Sequence, residues 1–219
     1  VKKLFLVLAL GGLASGANAV VLWDQLGATD YGFASQDFET AYDDYDCMVA
    51  DDFEILESEW EWTISNIEFD MYLPYGDSAP VHGVNIRFMP ARADNTGDYW
   101  NPVYTEVNPA TTIYNGTNSL DLVTHLNLGA GHYFVGVAPQ LDWEDYGQCY
   151  FLMNSFPVWN QMALMINPGG GWGEGADWFA PAPGYDASFR INGVCVPEPG
   201  VVPLAGLLLG AGAIWLRRR

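Results

Sequence analysis

The chain has 219 residues, with 27 Asp+Glu against 8 Lys+Arg and a formal net charge of −19. Five of the bases stand at the ends, so residues 20–195 hold 26 acids against Arg87, Arg92 and Arg190, and no lysine. This excludes a nucleic-acid binder, which needs clustered Lys and Arg for phosphate contacts. It also excludes attraction of the domain to an anionic membrane surface.

Residues 1–19 predict a secretory signal peptide. Lys2 and Lys3 precede an apolar run, Leu4 to Leu10, and Ala17-Asn18-Ala19 forms an A-x-A cleavage site. Residues 20–195 are then one domain's length. Turn signals punctuate them, at Tyr75-Gly76-Asp77, Asn95-Thr96-Gly97-Asp98, Asn115-Gly116, Gly129-Ala130-Gly131, Pro168-Gly169-Gly170-Gly171 and Pro183-Gly184. The aromatic and β-branched stretches around them predict strands at 20–26, 47–55, 60–73, 83–89, 120–126, 132–138, 148–153, 161–166 and 187–192. The expected fold is all-β, an antiparallel two-sheet β-sandwich of jelly-roll type, with a closed barrel as the alternative. Trp60, Trp62 and Ile64 share one parity, whereas Ile67, Phe69 and Met71 share the other. A β-bulge, or a strand changing sheets, would produce that slip.

Acids are densest from Asp37 to Glu61, eleven in 25 residues with no base. Clustered carboxylates repel unless a cation sits among them, and calcium takes six to eight oxygen ligands. Asp43, Asp44 and Asp46 form one candidate calcium group, and Asp94 and Asp98 another, though neither matches an EF-hand loop. A solvated acidic face is the alternative. Cys47, Cys149 and Cys195 are the only cysteines. Cys47–Cys149 is the first pairing to expect outside the cytoplasm, with free buried thiols as the alternative.

Trp143, Tyr146, Tyr150, Phe151, Phe156, Trp159, Trp172, Trp178 and Phe179 fall within 37 residues. Aromatic faces can stack on sugar rings, and flanking carboxylates such as Asp177 can accept bonds from sugar hydroxyls. Trp143, Trp172, Trp178 and Asp177 are therefore the candidate carbohydrate-binding residues. Gly169–Gly175, carrying Trp172 and Glu174, reads as an exposed loop suited to such a site. The alternative is that these aromatics fill the core. No H-E-x-x-H, nucleophile elbow or phosphate loop occurs, so no catalytic residue is assigned.

Residues 196–219 form a second targeting segment. Val201 to Leu216 is uncharged, and its sixteen residues would rise about 24 Å as a helix, close to a bilayer's hydrocarbon core. Arg217, Arg218 and Arg219 follow and predict a cytoplasmic end by the positive-inside rule. Pro197-Glu198-Pro199, then a short apolar helix, then terminal arginines resembles the PEP-CTERM sorting signal of Gram-negative bacteria. The resemblance implies export across the inner membrane, transient anchoring, processing by an exosortase and display at the cell surface or release. It also implies association with exopolysaccharide and biofilm matrix. Permanent anchoring is the alternative.

A second resemblance concerns the domain itself. Val49-Ala50-Asp51-Asp52-Phe53, Trp62-Thr63-Ile64 with Ile67 and Phe69, and Phe189-Arg190-Ile191-Asn192-Gly193 are similar to stretches of secreted bacterial β-sandwich proteins. This bears on the fold and says nothing of chemistry. The expected protein is non-catalytic, and structural or adhesive in an exopolysaccharide matrix. A carbohydrate-binding module and a glycoside hydrolase are the two rivals.

Overall fold

A computed structural model describes residues 19–27, 31–56, 60–154, 162–181 and 184–197. The strands among them are β1 (Val20–Asp24), β2 (Gly32–Ala34), β3 (Met48–Ile55), β4 (Trp60–Tyr72), β5 (Ser78–Pro90), β6 (Tyr104–Tyr114), β7 (Gly116–Leu128), β8 (Gly131–Gln140), β9 (Tyr150–Asn154), β10 (Leu164–Ile166), β11 (Asp186–Ala187) and β12 (Phe189–Pro197). A 3₁₀ segment (Thr40–Tyr45) and a single-turn helix, α1 (Trp143–Tyr146), complete the list. The strands form two antiparallel sheets. One runs β1-β12-β4-β9-β11, with β2 also on β9 and β7 also on β4; the other runs β10-β3-β8-β5-β6. The protein is an all-β sandwich. Among the described residues no helix is long and apolar enough to cross a membrane. Residues 1–18 of the expected signal peptide, Phe156, Trp159, the apolar segment 201–216, Glu198, Pro199 and Arg217 to Arg219 lie outside the described residues.

Period-two alternation builds the core. Ile64, Ile67, Phe69 and Met71 of β4, with Phe189 and Ile191 of β12, face Val49 and Phe53 of β3, Ile86 and Phe88 of β5, and Val135 and Val137 of β8. All are essentially buried, and each contributes about 1.5–3 kcal/mol by leaving water. The parity slip in β4 is a bulge at Ser65. β12 pairs Gly193 with Ile64 and Asn192 with Asn66, and Ser65 has no partner there. The bulge crowds the strand opposite, where a Cβ on Gly193 would run into the Thr63 carbonyl and lie 2.9 Å from Ile64 Cα. The glycine of Phe189-Arg190-Ile191-Asn192-Gly193 is thus demanded by the bulge facing it.

Two strands escape the sequence pattern. β2 is only three residues long. β6 carries Pro109 within a polar run, which argues against a strand in a sheet interior. It pairs only with β5, as an edge strand, so no ladder bond is lost on its free side. Its side chains close the sandwich by reaching β7 in the other sheet. Glu106 accepts the N–H groups of Val123 (2.9 Å) and Thr124 (3.2 Å). Asn108 Nδ2 donates to Asp121 O at 2.7 Å, and the Tyr104 hydroxyl donates to Thr124 O at 2.9 Å.

Polar links also join the sheets through the interior. Asp51 has the inward parity of Val49 and Phe53 and is fully buried. Its Oδ2 accepts Ala187 N–H (2.6 Å) and Gln25 Nε2 (2.8 Å) from the opposite sheet and the segment following β1. Burial pushes its carboxyl well above the usual carboxylate range, and the nearby carboxyls of Asp186 and Asp52 push the same way. Asp52, on the outer face beside His132 (2.6 Å), is raised by burial, which outweighs the histidine's opposing pull.

The three cysteines are free thiols, so the expected Cys47–Cys149 bond is not made. Residues 35–36 run between the two, Gln36 pairing with Cys47 and Ser35 donating to Cys149 O. Burial pushes both thiols up to about 12.

Two outcomes follow. A carboxyl raised by folding contributes its stability in full below the unfolded value of 3.8 and loses it as pH rises through the folded value, about 6 for Asp46. Asp51 and Asp52 are raised likewise. Thermal melts followed by circular dichroism will therefore show Tm falling as pH rises from about 4 to about 6. Asp51→Asn, which keeps the acceptor and removes the titrating group, will flatten that slope; an unchanged slope would contradict the assignment. Gly193→Ala will cost about 1–3 kcal/mol in urea unfolding, as over-packing against the bulge.

Candidate functional site

Three segments meet at one end of β2 and β10. The first is the chain before β3. Phe38 is buried there, and the 3₁₀ segment that follows, kinked at Tyr42, brings Tyr42 and Tyr45 to the same cleft. The second is the start of α1. Trp143 N–H donates to Glu39 Oε2 at 2.8 Å, and the rings of Phe38 and Trp143 lie 6.1 Å apart. The third is the glycine loop after β10, which carries Trp172.

The glycine loop is fixed by a buried asparagine. Asn167 Nδ2 donates to the carbonyls of Asp44 (2.8 Å) and Asp46 (2.7 Å), and its Oδ1 accepts Trp172 N–H at 3.0 Å. Gly171 N–H donates to Asp44 O at 2.8 Å. The loop lies so close to the 3₁₀ segment that a Cβ on Gly169 would sit 2.5 Å from Asp44 Cα, and one on Gly171 2.6 Å from Asp44 O. Trp172 then donates its indole N–H to Tyr45 O (2.9 Å) and sets its ring edge-on to Tyr45 at 6.0 Å.

The result is a cleft of about 280 Å³ lined by Phe38, Tyr42, Tyr45, Trp143 and Trp172. Trp143 is 40% exposed, Trp172 39% and Tyr45 44%, which separates them from the fully buried core aromatics. Asp43, Asp44, Glu144 and Asp145 are exposed on the same segments. Ring faces are the negative side of the aromatic quadrupole, so they attract the weakly positive C–H groups of a sugar ring. Exposed carboxylates nearby accept hydroxyl hydrogen bonds. Trp172 also lines a second cleft, of about 370 Å³, with Phe33, Tyr150, Glu174 and Phe179.

A third cavity, of about 230 Å³, is polar, with Asp37, Asp46, Asn85, Arg87 and Tyr99 in its wall. Its carboxylates already hold structural donors. Asp37 Oδ2 accepts from Asn85 (2.6 Å) and Gln140 (2.9 Å), and Asp46 Oδ1 accepts from Phe38 N–H (2.8 Å). Burial, then Asp37 and Asp43, push Asp46 up to about 6 despite that hydrogen bond.

Of the four carbohydrate candidates, Trp143 and Trp172 meet in the first cleft. Trp178 and Asp177 do not. Trp178 packs on the outer face of the second sheet, against Tyr99 at 6.2 Å, and donates to Gly97 O at 2.6 Å. Asp177 accepts Trp178 N–H and lies 3.8 Å from Arg92. The calcium candidates are spread over separate tasks. Asp44 and Asp46 offer their carbonyls to Asn167, Asp94 accepts from Thr96 (2.7 Å), and Asp98 accepts from Asn101. Among the described residues no three Asp, Glu, His or Cys side chains converge on one point. Pro197 ends β12, its backbone opposite Trp60. The residues unforeseen from sequence are Phe38, Tyr42, Tyr45 and Asn167. The run Asn167-Pro168-Gly169-Gly170-Gly171-Trp172 held the available signal: a capping amide, then glycines that permit close backbone approach, then the ring they present.

No family model matches the chain, and no curated protein matches it in sequence.

Asn167→Ala leaves the Asp46 carbonyl without its side-chain donor and that of Asp44 with Gly171 N–H alone, and will cost about 1–3 kcal/mol in urea unfolding. With Gly171→Ala, it will also raise acrylamide quenching of tryptophan fluorescence, because Trp172 is released from Tyr45. Unchanged quenching in both variants would show that the loop is held by something else.

Proposed function

We propose that this is an exported, non-catalytic protein of a Gram-negative cell surface that adheres to exopolysaccharide through the Trp143–Trp172 cleft. The observation that carries the reading is the pair of half-exposed tryptophans that line one aromatic cleft, Trp143 with its backbone N–H on Glu39 and its ring beside Phe38, and Trp172 with its backbone N–H on Asn167 and its indole N–H on Tyr45 O. The Trp172 ring, fixed through its indole N–H, is pre-organised to bind, since little side-chain entropy remains to be lost. This reading joins the matrix role and the carbohydrate-binding module that the sequence left as rivals.

The export part rests on the sequence. The signal peptide takes the domain across the inner membrane. The segment resembling a PEP-CTERM signal holds it there through its apolar helix until an exosortase processes it. β1 starts at Val20, next to the expected cleavage site, whereas β12 runs two residues past the expected domain end at 195, so that Val196 and Pro197 of the expected sorting segment pair with β4. The jelly-roll reading is supported by strand order. One sheet contains β1-β12-β4-β7 and the other β3-β8-β5-β6, the interleaving produced by two Greek keys, whereas a closed barrel would be one continuous sheet.

Affinity electrophoresis through gels containing neutral or acidic polysaccharides tests the cleft. The purified chain will be retarded by at least one glycan. Trp172→Ala and Trp143→Ala will each abolish the retardation, while Trp178→Phe will retain it. Equal mobility in every gel would sink the reading.

A further inference from the structure

The two clefts that share Trp172 point to a ligand longer than one sugar. Each cleft alone, at about 280 and about 370 Å³, is near the lower end of the roughly 300–1,000 Å³ typical of small-molecule pockets. They adjoin, since one indole lines both. Beyond the second cleft the aromatic row continues. Tyr150 pairs across the strands with Tyr72, their rings 6.2 Å apart, and Tyr72 is 46% exposed. Trp143 and Trp172 thus line the first cleft, Trp172 and Tyr150 the second, and Tyr72 adjoins Tyr150, so rings from α1, the glycine loop, β9 and β4 border one continuous stretch of surface. Several rings bordering adjoining clefts match a ligand whose own rings repeat.

Charge restricts that ligand further. Among the described residues the three arginines are engaged elsewhere. Arg87 donates to Tyr99 O and covers its ring, Arg92 lies at Asp94 and Asp177, and Arg190 bridges Asp24 and Glu68. None lines either cleft, whereas Glu174 lines the second, and Asp43 and Asp44 are exposed beside the first. A uronate or sulfated chain would meet like charge with no counter-charge. A neutral chain meets none, and its hydroxyls find acceptors.

We infer that the row is a binding track for a linear, uncharged polysaccharide, occupied by several consecutive sugars with Trp172 at its centre. This rests on the glycan-binding reading above and specifies its ligand.

Titration calorimetry on the purified full chain tests it. The probes are di- and hexasaccharides of β-linked glucose, mannose and xylose, with a hexamer of galacturonic acid. A neutral hexasaccharide will bind at least about tenfold tighter than its disaccharide, the gain expected of one or two further aromatic contacts. Tyr150→Ala will weaken the hexasaccharide at least about tenfold more than the disaccharide, while Trp143→Ala will weaken both. If Tyr150→Ala shifts the thermal melt, Glu174→Trp, which obstructs the second cleft from its exposed rim, must cause the same selective loss. Equal affinity for the two lengths, both lost in Trp172→Ala, would overturn the track and leave a one-sugar cleft standing. Tighter binding of the galacturonate hexamer would overturn the neutral assignment. Heat from none of the probes would overturn track and cleft together.

Discussion

The carboxyl of Asp51 lies between two sheets with no cation to face, and it takes its hydrogen bonds from Gln25 and the N–H of Ala187. The same arrangement recurs through a domain that has too few bases to pair its acids. Asp70 accepts from Thr117 and Ser188, Asp37 from Asn85 and Gln140, Asp121 from Asn66, and Glu106 from Asn108 and two backbone amides. Buried acceptors need a donor of some kind but not a charged one, so amides and hydroxyls suffice. The links from Asp51, Asp70 and Glu106 run between separate strands and set their relative placement. Hydrophobic burial draws the sheets together, and these directional contacts decide how they face.

The β-pattern of the fold was open to reading because it depends on parity. The slip between Ile64 and Ile67 shows in the sequence as a change of parity that a bulge or a strand changing sheets would each produce; it is a bulge, and only the pairing with β12 shows that Gly193 is required opposite it. β6 was not visible. Its stability comes from pairing with β5 and from side chains that reach β7, and neither leaves a local hydrophobic signature. A polar edge strand with a proline looks like a loop until its partner is known.

The site shows a similar division. Composition marked the tryptophans, and Trp143 and Trp172 do meet. It could not separate them from Trp178, six residues beyond Trp172, whose ring turns onto Ala50, Phe134 and Leu164 instead of solvent. Whether an aromatic residue is wall or core depends on the path of the loop that carries it. Here that path is set by Asn167, a single buried amide bound to two carbonyls far away in sequence. A search for sugar-stacking rings passes over such a residue, because its contribution is to place another side chain.

The final strand has a mechanical consequence. β12 runs between β1 and β4 and is paired with β4 at all nine positions from Phe189 to Pro197. Tension applied at its C-terminal end, along the strand, loads these hydrogen bonds in shear, together, rather than peeling them one by one. A domain tethered through this strand and pulled by a ligand on its far loops would resist through the whole nine-residue ladder at once. The bulge at Ser65, with Gly193 locked against it, adds a notch that opposes sliding of the two strands.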